Sequence, residues 1–478
     1  MDELKTTLRR DQLSLDAAAW EKVSILESRG GTLALGWPHP QLPLASDCLT
    51  WWPRGVPDLR TTGIVSSRLG RKLDRKDDLF RVLRSACAQL DPRRQMLLSA
   101  EGTTTGRFVT RAAQLFGLSL LDVIVARPKQ TFAAWLEQMV VRNPEHEELY
   151  WPCFVSPSMR QGGQSGEANT SAVANREDES VPLRDRIAVQ ASDQLVVLHL
   201  RDGGNLSRLL VDRLRYDDRK GPSIYLSLGS TQLVPPSAAD RLMEQGAVGW
   251  LLWDMSGHEN EASVVAAPFG EGPRHKPAAI VSQPPDEPWR FLTHCTRRAQ
   301  GRWPDQLEQE YLDELILGEP TRDRSSLATL MRIIGTRHLL AAGATIRSGT
   351  EVVSFTEANF AELAQMRQFR AHRARWDFEP YGICIDQHDL KMRGTRPVVY
   401  GNDELWDRLA DAERPFFQKS ANCEQEGVDW RREREWRHRG DIDLDAIPSS
   451  SGLVFVPTQA EAQHVARVSR WPVTVVNW

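Results

Sequence analysis

The chain reads as an α/β protein: a domain built on a parallel sheet, followed by a separate α+β domain. Three observations predict this. Between Arg60 and Trp253, short apolar runs of strand length alternate with segments of helical periodicity, the pattern of a parallel sheet with right-handed crossovers. Beyond Pro288 the alternation gives way to less regular elements. At 478 residues the chain exceeds what one hydrophobic core usually holds, so two or three domains are expected.

In order, residues 1–57 carry a helix near Ser14–Ser28 and a Pro-rich connection, and read as an extension packed on the next domain. Core filling is the expected use of the adjacent Trp51 and Trp52. Thr61–Ser67 (TTGIVSS) is a first strand, Asp77–Leu90 a helix and Gln95–Ser99 a second strand. Gly106–Phe116 is a helix, Leu118–Val125 a third strand and Thr131–Val141 another helix. Residues 158–180 are rich in Gly, Ser, Asn and Glu without apolar periodicity, and read as a disordered insertion. Gln194–Leu200 is an apolar run short enough for a strand buried on both faces. It breaks at Asp202-Gly203-Gly204-Asn205, whose glycines tolerate φ > 0 and let backbone N–H groups approach a ligand. Leu206, Leu209, Leu210 and Leu214 then recur at helical spacing, with Asn205 or Ser207 able to cap the helix. Strand, glycine turn and helix is a build that sets a positive helix end against a phosphate. Ser223–Leu228 and Ala247–Trp253 flank a helix at Pro235–Glu244. Residues 58–258 are therefore expected to form a Rossmann-like nucleotide-binding domain, 259–289 a linker and 290–478 the second domain.

Composition narrows the function. A net charge of −4 gives no global pull toward nucleic acid or membrane. No apolar run approaches a membrane span, and the polar start MDELKTTLRRDQ argues against a signal peptide. Six cysteines without a CxxC pair suggest neither a zinc site nor a disulfide framework, and fit a reduced cytoplasm. No metal site, Walker A loop, HExxH, GxSxG or EF-hand pattern is found in the sequence.

Four motifs of the first half, taken in order, resemble the DprA/SMF and LOG-type rossmannoid proteins, the SLOG group. Thr61–Arg68 looks like that family's first strand, with Ser66 where Gly is usual, and Ser99–Thr104 sits where it carries a second phosphate loop. Arg184–Asp193 resembles its "RNRIIAGLSD" helix, and Leu195–Leu210 its last strand and glycine turn. The resemblance implies Ser67, Arg68, Gly102, Thr103, Thr104, Gly203, Gly204 and Asn205 as contacts to an unidentified nucleotide. LOG-type phosphoribohydrolases carry a catalytic Glu just after their glycine turn. Leu206-Ser207-Arg208 follows here, which points to holding a nucleotide without cutting it. DprA proteins bind single-stranded DNA through basic surfaces. This domain lacks a basic stripe with interleaved aromatics, so nucleic acid is the less favoured partner.

In the second half, Trp289–Arg297, Gly349–Thr356 and Trp430–Arg437 read as strands. Gln306–Leu317, Arg324–Ala342 and Phe360–Arg370 read as helices, with a basic helix end around Gln365–Trp376 that is expected to be a solvated face. A strand–helix–strand unit closes the chain at Gly452–Pro457, Gln459–Ser469 and Pro472–Val476. His294 or Arg297, then Ser354-Phe355-Thr356, then Glu433-x-Glu435, resemble the ordered signature of the ADP-ribosyltransferase-like fold. The tail also looks like bacterial families linked to abortive infection. The resemblance implies NAD as substrate. Glu435 would stabilise an oxocarbenium-like state, with Glu433 nearer the acceptor; Arg297 or His294 would hold ribose or phosphate, and Ser354 and Thr356 brace the pocket. A second account of the same residues is a solvated strand with Glu433 and Glu435 on one face and Arg432 and Arg434 on the other.

Together these readings describe a nucleotide-binding domain joined to an ADP-ribosyltransferase-like effector, suited to stress or phage defence. The alternatives are a DprA-like single-stranded nucleic-acid-binding protein, or a non-catalytic nucleotide sensor with a protein-interaction domain.

Overall fold

A computed structural model describes residues 15–37, 48–70, 73, 76–142, 148–157, 181–216, 221–228, 233–251, 276–343, 346–370, 375–420 and 430–478. The expected insertion at 158–180 lies outside the described residues. The chain divides into two units, Met1–Gly257 with Leu312–Gly318, and His258–Tyr311 with Glu319–Trp478. No described helix is long and apolar enough to cross a membrane.

The first unit is organised by one nine-stranded sheet. Its strands are β1 (Thr32–Leu35), β2 (Leu49–Trp52), β3 (Arg60–Ser66), β4 (Gln95–Ala100), β5 (Leu120–Val125), β6 (Tyr150–Val155), β7 (Gln194–His199), β8 (Ile224–Leu228) and β9 (Val248–Leu251). They lie in the order β1-β2-β6-β5-β4-β3-β7-β8-β9. From β6 to β9 every neighbouring pair is parallel, while β1–β2 and β2–β6 are antiparallel. The chain therefore winds outward from β3 to β6, returns beside β3 as β7, and winds the other way. That reversal between β3 and β7 is a topological switch point, where the carboxyl ends of the strands leave a crevice.

Burial follows the sequence. In β7, Leu195, Val196, Val197 and Leu198 are all buried, as a strand covered on both faces requires. Helices α1 (Ala17–Ser28), α2 (Asp77–Ala88), α3 (Gly106–Phe116), α4 (Phe132–Val141), α5 (Leu183–Gln190), α6 (Asn205–Tyr216) and α7 (Pro236–Glu244) cover the sheet. Inward residues of α5, α6 and α7, such as Ile187, Leu209 and Leu242, share one core with Val65, Leu98 and Val197. Helices α2 and α3 pack on β7 and β4 and meet through Phe80 and Phe108, edge to face at 5.4 Å. Gly63 permits the close approach of α5: a Cβ there would lie 2.2 Å from Ser192 Oγ and 3.0 Å from the Ala188 carbonyl oxygen.

The N-terminal extension is more than a pad. β1 and β2 lengthen the sheet, and Trp51 and Trp52 are buried, Trp51 stacking on Phe154 at 5.4 Å. The last strand is described only to Leu251, so the expected end at Trp253 lies outside the described residues.

The second unit is α+β. Its remaining strands are β10 (Ile280–Val281), β11 (Phe291–Cys295), β12 (His338–Leu339), β13 (Val352–Thr356), β14 (Phe369–Arg370), β15 (Arg375–Trp376), β16 (Gly382–Asp386), β17 (Arg396–Pro397), β18 (Val399–Gly401), β19 (Phe417–Lys419), β20 (Glu435–Arg439), β21 (Ile442–Asp443), β22 (Gly452–Val456) and β23 (Val473–Val475). The main sheet runs β10-β23-β22-β16-β11-β13-β20-β17, parallel only among β10, β23 and β22. β12–β21, β14–β15 and β18–β19 form three separate pairs. Ile280–Val281 of the expected linker is thus an edge strand.

Three expectations are corrected. The helix expected at Arg324–Ala342 spans Ser326–Thr336, stopped by Arg337 in the left-handed region at φ 58°, after which the chain forms β12. The basic helix end at Gln365–Trp376 is not helical: the helix ends at Met366, Arg367 is extended, and Phe369–Arg370 pairs with Arg375–Trp376. Trp430–Arg437 is not one strand. Trp430–Glu433 is a 3₁₀ turn, Arg434 turns at φ 44°, and the strand begins at Glu435.

Candidate functional site

The switch-point crevice of the first unit holds a cavity of about 280 Å³. Three strand ends build it. At the end of β3 the pairing register shifts between Val65 and Ser66, a bulge that re-aims the chain. The Ser67 N–H donates to the His199 carbonyl at 2.8 Å and its Oγ accepts the Arg201 N–H at 2.9 Å. Ser67 thus ties the end of β3 to the loop after β7. After β4, Gly102 turns at φ 80°, where a Cβ would come within 3.1 Å of Arg184 Nη1. Thr105 stands before α3, yet its hydroxyl donates to the Ile64 carbonyl at 2.7 Å, so no side chain caps that helix.

The third end follows β7. Gly203 turns at φ 69° and its N–H donates to Asp202 Oδ1 at 2.9 Å. Arg241 pairs with Asp202 at 2.6 Å, holding that carboxyl below its usual range. Neither Asn205 nor Ser207 caps α6 as expected. The Gly204 carbonyl accepts the Arg208 N–H at 3.1 Å, which puts Gly204 at the cap, while Asn205 Oδ1 takes Arg208 Nη2 at 2.5 Å. A glycine cap brings no side-chain acceptor, so the first-turn N–H groups are left for a ligand or water.

Of the residues expected to contact a nucleotide, Ser67, Arg68, Thr103, Thr104, Gly204 and Asn205 line this one cavity. Gly102 and Gly203 bend the loops beside it. Sequence reasoning missed two charged lining residues, Arg201 and Asp185. Arg201 directly precedes the glycine turn, a position that could have marked it. Asp185 sits on α5 with its nearest described cation, Arg184 Nε, at 4.0 Å, and burial raises its carboxyl above the ordinary range.

The second unit places its expected residues on β11, β13 and β20. Register puts Thr293 opposite Thr356, Thr356 opposite Glu435, and Ser354 opposite Arg437, so these side chains share one face. Ser354 Oγ donates to Glu435 Oε1 at 2.8 Å. Arg437 grips both carboxylate oxygens, Nε to Oε1 at 2.9 Å and Nη2 to Oε2 at 3.0 Å. His294 alternates to the opposite face, its ring 5.8 Å from that of Phe355. It reaches Ser354 only through the backbone, Nδ1 lying 2.9 Å from the Ser354 carbonyl, and burial lowers its pKa. Thr356 Oγ1 donates to the Glu433 carbonyl and accepts the Ala358 N–H, so it braces the turn. Glu433 lies in that 3₁₀ turn, not on the strand. Arg297 is exposed just beyond β11. Among the described residues no cluster of three or more His, Cys, Asp or Glu is arranged to hold a metal.

Fold and site together define a two-unit α/β protein whose first unit is Rossmann-like, with a crevice of mixed polar and apolar lining at its switch point. No protein-family model and no curated protein matches the chain. Among solved structures it is similar to DNA processing protein A (DprA) from Streptococcus pneumoniae, at 14% identity over 49% of this chain and 75% of that one, TM-score 0.28. It is also similar to DNA processing protein A from Helicobacter pylori, described for its single-stranded DNA binding mode, at 10% identity over 46% and 89%, TM-score 0.27. A third is the molybdenum cofactor carrier protein of Chlamydomonas reinhardtii, at 13% identity over 41% and 91%, TM-score 0.23.

Proposed function

We propose that the first unit binds a phosphate-bearing nucleotide in the crevice between β3 and β7. The observation that carries this reading is convergence: Ser67, Arg68, Thr103, Thr104, Gly204 and Asn205 come from three separate strand ends to one cavity, joined by Arg201. The uncapped start of α6 and two guanidinium groups supply donors and positive charge where a phosphate needs them. Titration calorimetry of the full chain with nucleoside 5′-mono- and diphosphates tests it. Arg68→Ala with Arg201→Ala should weaken binding at least ~10-fold with an unchanged melting temperature, since lost charge-assisted hydrogen bonds are worth about 1.5–3 kcal/mol each. Absence of binding at low salt sinks the proposal. Tight binding of a single-stranded oligonucleotide in place of mononucleotides would favour the DprA-like alternative.

A second reading concerns the other unit. The hydrogen bond from Ser354 to Glu435 on adjacent strands favours an NAD-dependent ADP-ribosyltransferase-like site with Glu435 at its centre. Release of nicotinamide from NAD by the wild type, lost in Glu435→Gln, is the expected result. A wild type that leaves NAD intact removes this reading.

A further inference from the structure

The cavity carries one feature that phosphate binding does not use. Asp185 stands on its wall together with Arg68, Arg201 and the first residues of α6. A phosphate offers only acceptors to a protein at neutral pH, so it cannot satisfy a carboxylate and is repelled by one. The backbone that carries Asp185 is nevertheless anchored. Its neighbours Ile187, Ala188 and Val189 are buried in the core, and its N–H donates to the Pro182 carbonyl at 3.0 Å. Among the described residues its carboxylate has no closer cation than Arg184 Nε at 4.0 Å, and burial raises its pKa. A part-exposed carboxylate with no close counter-charge, on the wall of a cavity that also carries Arg68 and Arg201, is an acceptor open to donors on the ligand itself.

We infer that Asp185 is the pocket's acceptor for the ribose hydroxyls of the ligand, which is therefore a ribonucleotide carrying a single nucleoside. The inference rests on the nucleotide reading above and names the class of nucleotide. A vicinal diol presents two O–H donors to the two oxygens of a carboxylate, and hydrogen bonds to an ionised acceptor are the strong ones. Size limits the rest. A cavity of about 280 Å³ lies just below the usual range of ligand sites, roughly 300–1,000 Å³, which favours one nucleoside over two. The geometry thus divides the labour: the strand-end loops and the arginines take the phosphate, and α5 takes the sugar. Recognition of a base amino group is the competing use of Asp185, and it gives a different pattern of selectivity.

The test titrates the full chain with the four ribonucleoside 5′-monophosphates and their 2′-deoxy counterparts. We expect at least one ribonucleotide to bind and its 2′-deoxy form to bind at least ~10-fold more weakly, because a site built to hydrogen-bond a hydroxyl rejects the analogue lacking it. Asp185→Ala should weaken the ribonucleotide by a similar factor and abolish the discrimination. Arg201→Ala should weaken both sugars equally. Melting curves of each variant confirm that it is folded. Equal binding of the two sugars, or selectivity for the base alone, overturns the role of Asp185 while leaving the nucleotide site standing. Tighter binding by Asp185→Ala also overturns it. If none of the eight monophosphates binds, the nucleotide reading and this inference fall together.

Discussion

In the first unit, Arg68 and Arg201 reach the cavity with no carboxylate paired to either among the described residues, and Asp185 stands apart on the same wall. In the second, Glu435 is held at both oxygens by Arg437, whose side chain is 2% exposed. The remaining N–H groups of Arg437 go to the carbonyls of Pro415 and Phe417, at 3.0 and 2.8 Å, and to Gln418 Oε1 at 2.8 Å. Both regions hold charges on strands or just past their ends. One leaves its hydrogen-bonding capacity open at a cavity, and the other uses it inside the protein. The first arrangement is open to a ligand, whereas in the second Arg437 fixes Glu435 beside Ser354.

That contrast can be broken by experiment. Glu435→Ala leaves a buried guanidinium without its counter-charge, which typically costs about 3–5 kcal/mol. For a unit of this size the expected drop in melting temperature is roughly 6–20 °C, at ~2–4 °C per kcal/mol. This is the largest effect we expect from any single substitution discussed. Thermal unfolding followed by near-ultraviolet circular dichroism measures it. An unchanged melting temperature would mean that Arg437 does not depend on Glu435.

Much of the first unit was legible in the sequence because long apolar runs and helical periodicities carry their own signal. Gly106–Phe116 is a helix over the whole expected range, and Gln95–Ala100 and Gln194–His199 differ from expectation by one residue at one end. β6 carries Pro152, a residue that reads against a strand; it is tolerated since β2 pairs with β6 only at Phe154 and Val155. Six of eight expected pocket residues line one cavity because strand ends in a parallel sheet gather on one side. Asp185 escaped notice because it sits within a helix that sequence pattern treats as scaffold. In the second unit the limits were local. Periodicity placed Glu433 and Glu435 on one strand face, and nothing in the composition foretold that Arg434 would take φ 44°, held there by Glu362 at 2.9 and 2.5 Å. Nor does a triad of short motifs reveal that His294 faces away from Ser354 and Glu435; only register does.

A smaller effect probes the other side of the comparison, at a first-unit carboxylate without a bound cation. Asp122 lies on β5, and burial pushes its pKa up to about 6, although the Tyr150 hydroxyl donates to it at 2.9 Å. A carboxyl whose folded pKa exceeds its unfolded value binds its proton more tightly when folded. Its favourable contribution is complete below the unfolded pKa near 4 and is lost as pH rises through about 6. Asp122→Asn replaces the ionising group with a neutral amide that still accepts from Tyr150. We expect the variant to match wild type near pH 4 and to exceed it by about 1–2 kcal/mol at pH 7.5, less than the full shift because the hydrogen bond to a neutral oxygen is weaker. Urea denaturation at both pH values measures the difference. A variant less stable than wild type at pH 7.5 would show that a cation satisfies Asp122 after all.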